Sequence, residues 1–191
     1  SSMSSGTTQP LYSIWGSSST NVFAVGSGGT IRRFNGSSWS AMSSGTTEDL
    51  IGIGGNTAGI AYAVGSHGMI LNYNGTSWSP VSQHITQQAL CDAWGMEDNL
   101  FVVGGGGTIL HYDGAEWNLM ASGTTAILRG IWGSSINNIF VVGDGGVIRH
   151  YNGSAWSTMS SGTTKNLYGV WGSDANNVIA VGTDGTIRRY N

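Results

Sequence analysis

The sequence predicts an all-β protein made of five copies of one four-stranded unit. Three observations predict it: a repeat of 38 to 40 residues, an Asn-Gly or Asp-Gly turn in four of the copies, and the lack of any segment with the 3.6-residue apolar period of a helix. Glycine supplies 32 of the 191 residues, against a usual share of about 7%. This composition argues against a helical bundle and favours short strands joined by tight turns.

Each copy opens with a first strand whose fifth position is Trp15, Gly54, Trp94, Trp132 or Trp171. A second strand ends in Val-Gly, and a third strand begins shortly after it and ends in Phe or Tyr. The Asn-Gly or Asp-Gly turn follows, and both of its residues tolerate positive φ, so it is a strong hairpin signal. The fourth strand then begins with Trp39, Trp78, Trp117 or Trp156.

Four-stranded units at this spacing are typical of the blades of a β-propeller. A β-helix is disfavoured because its coils are shorter and lack regular Asn-Gly hairpins. Residues 1–6 align with residues 40–45, a fourth-strand segment, and adding the four residues missing between Asn191 and Ser1 makes 195, five times 39. We therefore expect residues 1–6 to complete the last blade, so that residues 1–191 form a single closed five-bladed domain.

The turn followed by Trp, in residues 35–39 and 113–117, resembles the hairpin of Asp-box (BNR-type) repeats. The Val-Gly-x-x-Gly-x-Ile pattern that precedes it is similar to the blades of the photosystem II assembly factor family. The whole chain resembles five-bladed propellers built from highly similar repeats. The resemblance implies related blade construction and no particular activity.

Charge and composition narrow the choice of partners. Charged residues make up 9% of the chain and the net charge is −3, which argues against nucleic acid and anionic membrane surfaces. No apolar stretch approaches the about 18 residues of a membrane span, and the lone Cys91 cannot form an internal disulfide. We expect a monomer with no nucleic-acid partner and no membrane insertion, and we slightly favour a secreted or cell-surface bacterial protein over an intracellular one.

Few residues suit catalysis. Asp92 is the one acidic residue at the third position of the first strand, near the predicted ring axis, whereas propellers that hydrolyse sugars need several converging carboxylates. The histidines lack metal-ligand spacing, and His111 and His150 share a column with Arg33, which favours a polar layer. We expect no enzyme, no cofactor and no metal site. Asp92 remains a candidate channel residue that would cap a water or a backbone amide, or bind a ligand directly.

Two sets of loop residues vary among the copies while the strands scarcely change. One set follows the Ser-Gly-Thr-Thr turn, and the other is the short turn between the second and third strands. By up-down strand order both sets lie on one face of the ring, and loops on a rigid scaffold often carry binding. The candidate binding face comprises Gln9, Glu48, Asp49, His67, Asp144, Lys165 and Asp184.

Three functions are compatible with these patterns. The leading hypothesis is non-catalytic recognition of a protein or polymer partner through the variable loop face. The alternative is a multivalent lectin with one glycan site per blade, built from the invariant elements. In the third, the chain is an engineered or excised repeat scaffold with no ligand of its own, with which its start in mid-repeat is compatible.

Gly54 is the one gap in the first-strand Trp column. Either a flexible side chain such as Met69 or Met96 fills the space of the missing indole, or a pocket remains beside the second blade. We favour filling, because protein interiors are close-packed and methionine adapts readily to irregular gaps.

Overall fold

The computed structural model describes residues 3–56, 59–81 and 85–190. In this part of the chain the regular elements are strands, together with one short 3-10 turn between the second and third strands of each copy. The all-β prediction is therefore confirmed. The strands are β1 Leu11–Ser18, β2 Asn21–Gly26, β3 Ile31–Phe34 and β4 Trp39–Met42; β5 Leu50–Gly55, β6 Ala61–Gly65, β7 Ile70–Tyr73 and β8 Trp78–Pro80; β9 Leu90–Met96, β10 Asn99–Gly104, β11 Ile109–Tyr112 and β12 Trp117–Met120; β13 Leu128–Ser135, β14 Asn138–Gly143, β15 Ile148–Tyr151 and β16 Trp156–Met159; and β17 Leu167–Asp174, β18 Asn177–Gly182 and β19 Ile187–Tyr190.

The chain divides into two compact units, Ser1–Glu97 and Asp98–Asn191. In the first unit β1 to β4 and β5 to β8 each form an antiparallel sheet in chain order, and β9 is the last strand. In the second unit β10, β11 and β12 pair in that order, β13 to β16 form a four-stranded sheet, and β17 to β19 form a three-stranded one. The repeated antiparallel sheet is the blade that the sequence predicts.

The N-terminal segment reproduces the predicted turn but contains no strand within residues 3–10. The Ser5 hydroxyl donates to the Thr7 carbonyl at 3.1 Å, as Ser44, Ser122 and Ser161 donate to the equivalent threonines. Residues 1 and 2 lie outside the described residues. Closure of the last blade by residues 1–6 is not shown, and it stays a prediction.

The Asn-Gly turns are held by the side chain of their first residue. Asn35 Oδ1 accepts hydrogen bonds from the amides of Ser37 and Ser38, both at 3.0 Å, and the Asp113 carboxylate accepts the equivalent pair. Gly36 has a φ of 97°, a left-handed conformation that suits glycine. Because an amide oxygen accepts these bonds as a carboxylate does, Asn serves in three of the turns and Asp in one.

The core of the first unit lies between successive blades. Phe23 of the first blade packs against Tyr73 and Trp78 of the second, with ring centroids 4.8 and 5.4 Å apart. All three side chains are buried, which confirms for them that the aromatic columns pack in the core.

The Trp-Gly sequence at the end of the first strand joins one blade to the next. The ring of Trp15 lies against Gly55, and that of Trp132 lies against Gly172, where an added Cβ would come within 2.6 Å of the indole. We call the side of a blade that carries this Trp its front face and the side that carries this Gly its back face. A front face thus packs on the back face of the following blade.

Gly54 is accommodated by backbone rather than by a side chain. An added Cβ at Gly54 would lie 2.0 Å from the carbonyl oxygen of Ala93, and one at Gly52 would lie 2.4 Å from that of Cys91. The two glycines let β5 approach β9 until their backbones touch. Met69 instead packs against the core of the first unit, so the expected filling by methionine is replaced by a close approach of strands.

Candidate functional site

The two variable loop sets lie together, as the strand order predicts. In four blades the amide of the first residue in the turn between the second and third strands donates to the residue just before the first strand. These bonds of 2.9 to 3.0 Å join Ser27 to Pro10, Ser66 to Asp49, Asp144 to Ile127 and Thr183 to Asn166. Within each unit, we call the surface formed by these turns and the segments before the first strands the loop face of that unit.

Most of the charged candidates on the loop face are joined in pairs. Glu48 Oε2 lies 2.8 Å from His67 Nδ1, and the Lys165 ammonium contacts the Asp184 carboxylate. Asp144 accepts a two-pronged bond from Arg129, with 2.9 Å between Nη2 and Oδ2. The contact given for Gln9 is made by its backbone amide, which donates a hydrogen bond to the Thr7 hydroxyl at 3.1 Å.

Asp49 links the turns of two successive blades. Its carboxylate accepts from the Gly28 amide at 2.8 Å and the Ser27 hydroxyl at 2.9 Å, and its carbonyl accepts from the Ser66 amide. The Gly28 amide, followed by the Ser27 hydroxyl, lowers the pKa of this carboxyl. Asn166 makes the same link through the Gly145 amide. The geometry gives Asp49 a structural role between blades.

Two of these candidates hold an unusual backbone conformation. His67 and Asp184 both have a φ of 54°, and they occupy the turn position where other copies have Gly28, Gly106 and Gly145. A left-handed conformation costs a non-glycine residue about 1 kcal/mol, although His and Asp adopt it more often than most. Retained strain of this kind is found at functional sites.

The second unit carries a patch of which the sequence singled out only Asp144. Arg129 lies between the Asp144 carboxylate and the ring of Tyr168, whose centroid is 5.2 Å from the guanidinium carbon. Tyr168 is 47% exposed, and Ile127, just before β13, is also exposed. We call Ile127, Arg129, Asp144 and Tyr168 the Arg129 patch. The sequence feature that could have revealed this patch is the second position of the first strand. This position varies from copy to copy, and in the fifth copy it is the exposed Tyr168.

The remaining candidates have structural partners. Asp92 is half-buried and its Oδ1 accepts from the Ala93 amide at 2.9 Å, one of the roles expected for it. His150 Nε2 lies 2.6 Å from Asn138 Oδ1, and because the Asn138 amide group donates to Ser134, the histidine must donate here. His111 makes the equivalent contact with Asn99. Burial lowers the pKa of both histidines, and for His111 the nearby Asp113 partly opposes this.

These histidines form the polar layer that the sequence favoured. Within residues 3–56, 59–81 and 85–190, no group of three or more His, Cys, Asp and Glu could hold a metal ion. The same residues include no helix long and apolar enough to cross a membrane. His84, which the sequence also places away from any ligand spacing, lies outside the described residues.

Two open grooves of the second unit occupy equivalent places in successive repeats. One, of about 670 Å³, is lined by Gly107, Met120 and the Ser122–Thr124 turn. The other, of about 650 Å³, is lined by Gly146, Met159 and the Ser161–Thr163 turn. Both walls include the recurring Gly, Met and Ser-Gly-Thr-Thr elements, and Lys165 of the loop face also lines the second groove.

Solved structures share this architecture. YCF48 bound to a D1 peptide matches 99% of this chain with a TM-score of 0.76 and 18% identity. The WD40 β-propeller domain of Doa1 matches 95% with a TM-score of 0.78 and 15% identity. The chain has the β-propeller fold. YCF48 from Cyanidioschyzon merolae adds a third match, over 90% of this chain, with a TM-score of 0.68 and 16% identity.

The low sequence identity and partial coverage limit what these matches show. This chain covers 66%, 65% and 64% of the three matched chains, and at 15% to 18% identity the likeness shows the fold alone. The resemblance to photosystem II assembly factor blades is confirmed as a structural similarity. No protein-family model and no curated protein sequence matches the chain.

Proposed function

We propose that this propeller is a non-catalytic recognition protein that binds a peptide segment of a protein partner at the Arg129 patch. The observation that carries the proposal is the position of Arg129 between Asp144 and the exposed ring of Tyr168. Tyr and Arg are enriched at the energetic centres of protein interfaces, where a held side chain loses little entropy on binding. The structure of YCF48 with a D1 peptide is a precedent for peptide binding on this fold.

The loop-face charges beside the patch would set specificity. Lys165 and Asp184 lie in the next blade and satisfy each other, so a partner must offer complementary charges to compete for them. The left-handed backbone at Asp184 holds its carboxylate at a strained turn. A single site built from variable residues would bind one partner per chain.

The test is a selection of random peptides displayed on phage, followed by calorimetry with a synthetic peptide. Tyr168→Ala should weaken binding at least about tenfold, because it removes the exposed aromatic anchor. Tyr12→Ala is the matched control, since Tyr12 is an exposed Tyr at the equivalent position of the first blade. Equal losses in the two variants, or no loss in either, would contradict the proposal.

The two equivalent grooves favour a lectin as the second candidate function. Sites built from Gly146, Met159 and Ser161, and from their counterparts in the third blade, would recur around the repeat and gain strength by avidity. A glycan array followed by calorimetry distinguishes the candidates. Four or five equivalent sugar sites per chain would support the lectin, whereas failure to bind any peptide or glycan would support a scaffold without its own ligand.

A further inference from the structure

The two equivalent grooves of the second unit differ in charge. The third-blade groove is lined by residues 106–108 and 119–125, none of which is charged. The fourth-blade groove is lined by residues 145–149 and 158–165, which include Arg149 and Lys165. Similar repeated walls therefore enclose a neutral groove in one blade and a cationic groove in the next.

Three differences between the two repeats produce this contrast. The fourth repeat has a cation, a hydroxyl and a second cation where the third repeat has apolar residues: Arg149 for Leu110, Thr158 for Leu119 and Lys165 for Ala126. Arg149 and Thr158 are cross-strand neighbours on β15 and β16. All three changes add hydrogen-bond donors to the fourth blade.

The Arg149 guanidinium is held at the groove by two contacts. One terminal nitrogen donates to the Thr158 hydroxyl, and the other donates to the Gly123 carbonyl. Each terminal nitrogen carries two N–H bonds, so each has one further N–H that can bind an anion. Because Thr158 Oγ1 accepts from Arg149, its own proton points to another acceptor. A guanidinium held in this way loses little entropy when it binds a ligand.

The second cation of the groove is in an exposed pair. The Lys165 ammonium contacts the Asp184 carboxylate, and the two side chains are 53% and 68% exposed. An exposed pair of this kind contributes little to stability. An incoming anion can therefore replace Asp184 as the partner of Lys165.

Positive charge exceeds negative charge around the fourth-blade groove. Arg188 lies behind its Ser161 turn, where Nε donates to the Ser161 carbonyl at 2.7 Å. Within residues 3–56, 59–81 and 85–190, neither Arg149 nor Arg188 forms an ion pair. Asp144, which precedes the groove in the chain, is balanced by Arg129. The surplus of cations favours a negatively charged ligand.

We propose that the fourth-blade groove binds the carboxylate or sulfate group of an acidic glycan. The anion lies between Arg149, Thr158 and Lys165, and sugar hydroxyls contact the serine, threonine and glycine residues of the walls. The volume of about 650 Å³ is within the range of small-molecule sites. The inference rests on the lectin candidate and narrows it, because the neutral third-blade groove lacks the cations that an acidic ligand needs.

Calorimetry of the full chain with trigalacturonic acid tests the proposal. The acid should bind at one site, with an affinity that falls as salt is added. Its methyl ester has the same sugars without the charge, and it should bind at least about tenfold more weakly. A sulfated galactan oligosaccharide in the same titration shows whether the groove prefers sulfate or carboxylate.

Variants assign the binding to the groove. Arg149→Gln and Lys165→Gln should each weaken binding of the acid at least about tenfold, because each removes a charged donor. Arg189→Gln is the matched control, since it removes the same charge at an exposed position outside the groove. Asp184→Asn should strengthen binding about two- to fivefold, because it removes the competing carboxylate. A purely structural role for Lys165 would give no such gain.

Other outcomes would overturn the proposal in distinguishable ways. Equal affinity for the acid and its ester would exclude charge selection and leave a lectin for neutral sugars. No binding of any acidic oligosaccharide in the millimolar range would exclude the acidic site, whereas the Tyr168→Ala test decides peptide binding independently. Binding of a phosphoserine peptide but of no acidic glycan would exclude the glycan as the ligand. Affinities unchanged in Arg149→Gln and Lys165→Gln would place the site elsewhere.

Discussion

Trp132 and Gly172 form a knob and a hole between the fourth and fifth blades. The indole edge lies where a Cβ on Gly172 would stand, so the glycine is needed to let the ring pack on the strand. The same pair recurs as Trp15 on Gly55, whereas Trp171 has the same sequence context and is exposed. Tryptophans at the same repeat position are therefore packed to different extents.

The first prediction compares two tryptophans of that column. Trp132→Ala should lower the free energy of unfolding by about 2 to 4 kcal/mol, because it leaves a void between two blades. Trp171→Ala should cost less than about 1 kcal/mol, since most of its ring is already in water. Urea denaturation at low protein concentration measures both, and equal losses would contradict the assigned packing.

The second prediction concerns Gly54. Gly54→Ala should destabilise the protein by about 2 kcal/mol or more, because the added methyl group would meet the backbone of β9 rather than a movable side chain. Gly54→Trp should cost more. Gly169→Ala is the control, since a Cβ there meets a Val181 methyl at an ordinary 3.4 Å. A Gly54→Ala variant as stable as the wild type would show that β5 and β9 are further apart.

The third prediction uses the strained turn at His67. His67→Gly should leave the free energy of unfolding unchanged or raise it by up to about 1 kcal/mol, because relief of the left-handed strain offsets the loss of an exposed contact with Glu48. Glu48→Ala removes the same contact and keeps the strain, so it should bring no gain. Thermal unfolding of both variants checks this, and a clear loss in His67→Gly would indicate that the pair with Glu48 outweighs the strain.

The fourth prediction concerns pH. Burial lowers the pKa of His111 and of His150 from the usual 6.5, so the unfolded chain takes up protons before the folded chain does. The stability that these neutral histidines contribute is present above about pH 6.5 and is lost as the pH falls through their lowered folded-state pKa values. The double variant His111→Gln, His150→Gln should therefore show a shallower fall in stability below neutral pH than the wild type.

Urea titrations at several pH values between about 7.5 and 5 provide the measurement. The carboxyls of Asp49, Asp113 and Asp174 also have lowered pKa values, with backbone amide bonds as the largest cause in each. Their contribution is lost only as the pH falls below the usual 3.8, so it does not interfere in this range. Parallel curves for variant and wild type would show that the two histidines do not couple to folding.

Local structure was largely predictable from the sequence. The repeat, the strand boundaries and the Asn-Gly turns follow from residue patterns, because they depend on bonds between near neighbours, such as those of Asn35 to Ser37 and Ser38. The common location of the variable loops also followed from strand order alone. Their pairing in Glu48–His67 and Lys165–Asp184 did not, because it depends on side-chain geometry across a turn.

The sequence by itself determined a five-copy propeller with an invariant scaffold and a variable loop face, since periodicity and turn chemistry are written in every repeat. Only the tertiary structure decided that Arg129 lies between Asp144 and Tyr168, that backbone occupies the space beside Gly54, and that Trp171 is exposed where Trp132 is not. The physical reason is that a surface is buried only when a second surface packs against it. A repeat specifies its own two faces, and which surface covers each of them is decided only when the blades pack.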